Sequence, residues 1–139
     1  MKRITLIIAL LAIVTIQTNA QLNIIVDHRS DFTWNEEDSK WDYIDGWETF
    51  GHFEFNKDMT MIKWTTKDYG IFYFIVNSIA ETDTENVYKL YVNSNGAKYN
   101  MILDYPKEQL RLWYWNTEEQ VDKMMQYSID SRWSDSDIE

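Results

Sequence analysis

Between Val87 and Asp104 (VYKLYVNSNGAKYNMILD) apolar and polar positions alternate on both sides of Asn95-Gly96, and the rest of the chain can be read outward from there. A two-residue type I′ loop needs φ > 0 at both positions, which Asn and Gly tolerate best. Counting away from the loop, Ser94 faces Ala97, Val92 faces Tyr99, Leu90 faces Met101 and Tyr88 faces Leu103, an almost wholly apolar set. The other side is mixed, with Asn93 opposite Lys98, Tyr91 opposite Asn100, Lys89 opposite Ile102 and Val87 opposite Asp104. A slip of one residue would exchange the two sets, so turn chemistry and hydrophobic pattern demand one register.

The period of two recurs through residues 47–116, which read as an antiparallel meander. In Trp47–Phe55 the set Trp47, Thr49, Gly51, Phe53, Phe55 alternates with charged and mixed positions and is assigned inward, with Gly51 at a bend or bulge. Asn56-Lys57-Asp58 and Lys67-Asp68-Tyr69-Gly70 are turns, and Thr60, Ile62 and Trp64 share one face of the strand between them. Ile71–Ala80 (IFYFIVNSIA) is apolar on both faces over its first half, which predicts a strand covered on both sides or a barrel strand packed against a terminal segment. Pro106 ends the second strand of the hairpin, and Leu110–Asn116 is the last predicted strand, with Leu110, Leu112 and Tyr114 inward.

Two flanking regions read differently. Residues 21–46 hold a short strand over Asn23–His28, then a long loop from Asn35 to Asp45 rich in carboxylates (Glu36, Glu37, Asp38, Asp42, Asp45). After Asn116, Thr117-Glu118-Glu119-Gln120 has the form of a capping box, and Val121, Met124, Met125 and Ile129 recur at near-helical spacing. A C-terminal helix over 117–133 is therefore expected, followed by an acidic tail, 134–139. The fold class is all-β: an antiparallel meander of six to eight strands forming a small barrel or tight sandwich, closed by that helix.

The first segment stands outside this fold. Lys2 and Arg3 precede an apolar run, Ile4–Ile16, interrupted only by Thr5 and Thr15, and Thr18-Asn19-Ala20 ends it. Residues 1–20 read as a secretory signal peptide, since the run is short of the roughly 18–20 residues of a membrane span. The chain has no cysteine, which denies it both a lipid-bearing thiol and disulfide staples, so bacterial export to the periplasm or the extracellular space is expected. Residues 21–139 then suffice for one domain with a core of its own.

Charge narrows the partners. With 23 Asp and Glu against 13 Lys and Arg the net charge is −10, which disfavours nucleic acid and anionic membranes and favours a basic protein or a cation. Catalysis finds little footing: His28 and His52 are the only histidines, and the sequence holds no nucleophile elbow and no glycine-rich phosphate loop. Zinc on the two histidines, or calcium in the acidic loop, lacks ligand spacing; Asp42-Tyr43-Ile44-Asp45-Gly46 is not an EF-hand loop. No metal, cofactor or catalytic residue is assigned.

The remaining candidate is aromatic. Trp113 and Trp115 lie two residues apart on one strand face, and Tyr91 and Ile102 share the outward side of the hairpin before it. Either the C-terminal helix packs its methionines onto this patch, the reading we adopt, or the patch is exposed and binds a sugar, peptide or apolar ligand. Three function classes follow: a non-catalytic module that binds or inhibits a basic protein, placed first; a carrier of an apolar small ligand in the barrel; and a hydrolase working through a carboxylate or histidine pair.

The stretches TTKDYGIFYFIVNS, VYKLYVNSNGAKYNMILDY and RLWYW, within residues 58–115, resemble in pattern the small exported β-proteins of Bacteroidetes-type bacteria. The resemblance implies a loosely lipocalin-like barrel, although the Gly-x-Trp opening of lipocalins is missing. It transfers no functional residue.

Overall fold

A computed structural model describes residues 20–134. Eight antiparallel strands follow one another: β1 (Ala20–Asn35), β2 (Lys40–Asn56), β3 (Met61–Thr66), β4 (Ile71–Glu81), β5 (Val87–Ser94), β6 (Ala97–Asp104), β7 (Gln109–Asn116) and β8 (Val121–Ser134). Each pairs with the next, and β1 pairs with β8, so the sheet closes into a barrel with no free edge. The β5–β6 hairpin has the register read from the sequence at all eight pairs, and its loop residues have φ of 50° at Asn95 and 85° at Gly96.

The expected C-terminal helix is absent. Residues 121–134 form β8, hydrogen-bonded to β7 on one side and to β1 on the other, and thereby close the barrel. Thr117–Gln120 is a tight turn instead of a helix cap: the Asn116 side-chain oxygen accepts from the backbone N–H of Glu118 and Glu119, each at 3.0 Å, and Gln120 takes φ of 50°. The acidic stretch 35–45 is likewise mostly strand. Only residues 36–39 turn, and the cross-strand pairs Trp34–Trp41 and Phe32–Tyr43 form the ladder on either side. The proposed signal peptide, apart from Ala20, and the tail beyond Ser134 lie outside the described residues.

Inward residues fill one end of the barrel. Ile24, Val26, Phe53, Phe55, Ile62, Leu90, Val92, Met101, Leu103, Leu110 and Leu112 are almost wholly buried there. Above them an aromatic layer spans the lumen: Trp64 stacks on Phe53 at 5.0 Å and meets Tyr127 edge-on at 5.7 Å, with Phe74 5.9 Å to its side. The outer wall carries charge, as in the Glu54–Lys63 pair. An apolar lumen with charges outside is the reverse of the membrane-spanning barrel pattern. β4 departs from expectation: Phe72, Phe74 and Val76 turn inward, but Ile71, Tyr73 and Ile75 remain exposed, and no described segment covers them.

Candidate functional site

Beyond the aromatic layer the lumen is not filled. At the end that carries turns 36–39, 67–70, 95–96 and 117–120, a cavity of about 340 Å³ opens between β1 to β6 and β8. The floor is Trp64, Phe74 and Tyr127; Trp47 and Tyr99 stand in the wall; Phe72 and Tyr69 stand at the rim. Half of the lining residues are aromatic, presented by β2, β3, β4, β6, β8 and the 67–70 turn.

Uneven strand length builds the opening. β1 and β2 run for 16 and 17 residues, whereas β3 has 6, so the wall is low at β3 and the 67–70 turn serves as its lip. That turn is fixed by its own hydrogen bonds: Thr66 Oγ1 donates to the Gly70 carbonyl at 2.8 Å and accepts from the Tyr69 N–H at 2.9 Å, while the Lys67 N–H reaches the Phe50 carbonyl at 3.1 Å. Gly70 sits at φ of 85°, a conformation that favours glycine.

Gly51 lies at the waist between filled and open halves. A Cβ there would stand 2.9 Å from Val26 Cγ2 and 3.2 Å from Trp64 Nε1. The missing side chain is thus the space into which Trp64 leans. Trp64 Nε1 is buried with no hydrogen-bond partner among the described residues.

A charged group, Arg29, lines the cavity, and a backbone irregularity puts it there. Val26 is buried in the core and Arg29 lines the cavity, three positions apart, which strict alternation forbids. The pairing of β1 shifts between Val26 and His28 against both β2 and β8, and this bulge turns Arg29 inward. Its Nε donates to Asp31 Oδ1 at 2.7 Å and its Nη2 to Asp31 Oδ2 at 3.2 Å. The guanidinium carbon lies 5.0 Å from the Trp47 ring centre and 6.0 Å from that of Tyr127. Burial alone would weaken the Arg29 charge, but the hydrogen bond to Asp31 together with the electrostatics of Tyr127, Asp31 and Tyr69 outweighs it, and the guanidinium is held above its ordinary range. Burial pushes the Tyr127 phenol far up, with the Arg29 charge opposing only in part, so Tyr127 is a neutral hydroxyl throughout the physiological range.

The residues singled out from the sequence lie elsewhere. Trp113, Trp115, Tyr91 and Ile102 are all on the outer wall and none lines the cavity. Lys89 Nζ joins two of them, 5.1 Å from the Tyr91 ring centre and 5.0 Å from that of Trp113. Trp113 is covered without a helix: it pairs with Met124 of β8, and Trp41 of the β1–β2 hairpin comes to 6.3 Å. Trp115 is 56% exposed beside the β7–β8 turn, Tyr91 is exposed, and Ile102 is half-buried opposite Arg111. Of the histidines, His52 bonds through Nε2 to the Asn23 side-chain oxygen at 2.9 Å. No family model, no curated protein and no solved structure matches this chain.

Proposed function

We propose that the protein is an exported, non-catalytic barrel that binds a small apolar ligand in its open end. The carrying observation is the cavity: its volume lies at the lower end of the roughly 300–1,000 Å³ typical of ligand pockets, and its lining pairs aromatic walls with few polar groups. Stacking on Trp47, Tyr127 and Trp64 suits a compact, flat ligand better than a long chain. Export rests on the Lys2-Arg3 pair, the apolar run behind it and the Thr18-Asn19-Ala20 ending. A basic protein partner, the first expectation from sequence, has the net charge in its favour; the ligand reading rests instead on a shaped site.

The test is a titration of residues 21–139 with prodan, a neutral naphthalene dye. Saturable binding with blue-shifted emission, excited by energy transfer from tryptophan, is expected. Thr49 points into the cavity, and Thr49→Phe should fill the space and cut affinity by about tenfold or more while the domain stays folded. Binding that survives Thr49→Phe unchanged, or no binding at all, would count against the proposal.

A further inference from the structure

The cavity's charges are unlike those of the rest of the molecule. The chain carries nearly twice as many acidic as basic residues, yet the lining holds two cations, Arg29 and Lys67, and one carboxylate, Asp68. A bulge is spent on bringing Arg29 inside, and bulges that re-aim a side chain are enriched beside functional sites.

Arg29 is not used up by its partner. Asp31 grips the guanidinium from the side, through Nε and one Nη2 proton. A guanidinium has five N–H donors in a planar fork, so both Nη1 protons and the second on Nη2 remain for Tyr127 and for the cavity. That end is the shape a second carboxylate accepts in a two-pronged contact. Tyr127, beside it, donates only to Met125 Sδ at 3.9 Å, a weak acceptor from which the hydroxyl turns away at little cost.

Building on the ligand-binding reading above, we infer that the ligand is a flat apolar carboxylic acid, its carboxylate on the free end of Arg29 and the Tyr127 hydroxyl and its rings between Trp47 and Trp64. Lys67 at the lip supplies a second positive charge on the entry path. An organic cation would be drawn to the acidic surface but would meet Arg29 in the lining, so the cavity selects against it.

Three probes of one size separate the possibilities: naphthoate, naphthamide and naphthylmethylamine, titrated into residues 21–139 at neutral pH. Naphthoate should bind at least about tenfold tighter than the amide, the scale of one charge-assisted hydrogen bond, and the amine weakest of all. In the double variant Arg29→Gln with Asp31→Asn, which removes both charges while keeping paired polar groups, the preference for acid over amide should vanish and amide affinity should persist. Tyr127→Phe, which loses only a hydroxyl, should weaken the acid several-fold and leave the amide unchanged, and it serves if the double variant does not fold. Equal binding of acid and amide, or preference for the amine, would overturn the inference and leave the cavity as a neutral apolar site. Failure of all three to bind would overturn the ligand reading itself.

Discussion

Gly51 and Arg29 are the two residues on which the open half of the barrel depends, one by lacking a side chain and the other by where its side chain is sent. In Gly51→Ala the new methyl would overlap Val26 Cγ2 at 2.9 Å and crowd Trp64 Nε1 at 3.2 Å. Both neighbours sit in a packed layer that cannot simply withdraw, so a loss of about 1–3 kcal/mol is expected, read as a lower denaturant midpoint at unchanged slope. An unchanged midpoint would show that Trp64 has room to retreat. Gly51 is legible in sequence as a bend within an inward-facing set, because the flanking Phe53 and Phe55 fix the phase. Arg29 is not. Alternation carried on from Ile24 and Val26 would place His28 and Ser30 inside, and only the observed pairing shift reverses that. No residue in Val26-Asp27-His28 announces a bulge, so the inward turn of Arg29 lay hidden.

Among the elements, the β5–β6 hairpin was readable in full, because an Asn-Gly loop and strict alternation specify the register twice over. Gly96 and Gly70, both at φ of 85°, have nothing within 4 Å of a would-be Cβ. Alanine at either therefore tests backbone strain alone, and each should cost about 1–2 kcal/mol in equilibrium unfolding; no loss at Gly96 would contradict the type I′ geometry. β8 carries a helix-like pattern for a physical reason. Its inward set, Val121, Lys123, Met125, Tyr127, Ile129, is broken by a lysine where the strand nears its tip and pairs with Glu119, while Met124 on the outer face is buried beneath Trp41 and Trp113. A covered outward methionine beside inward Met125 mimics helical spacing. The acidic hairpin misled in the same way: its carboxylates read as loop, while Phe32, Trp34, Trp41 and Tyr43, symmetric about residues 36–39, held the strand signal. The Trp113 cluster is thus a second small core, built by a hairpin in place of a helix.

At the scale of the whole molecule, the cavity comes from one asymmetry: aliphatic and aromatic side chains fill the lumen at one end, and tall β1 and β2 beside short β3 leave the other end open. An aromatic cavity with Arg29 in its lining, in a protein otherwise strongly acidic, is what supports the proposed ligand site. The seven tryptophans make the site's location directly observable, since each indole N–H gives its own proton–nitrogen NMR signal and Trp47 and Trp64 line the cavity while Trp34, Trp41, Trp113 and Trp115 do not. With signals assigned by single Trp→Phe variants, titration with prodan should shift those of Trp47 and Trp64 and leave those of Trp113 and Trp115 in place. Shifts confined to Trp113 and Trp115, with Trp47 and Trp64 unmoved, would place the binding surface on the outer wall and contradict the account.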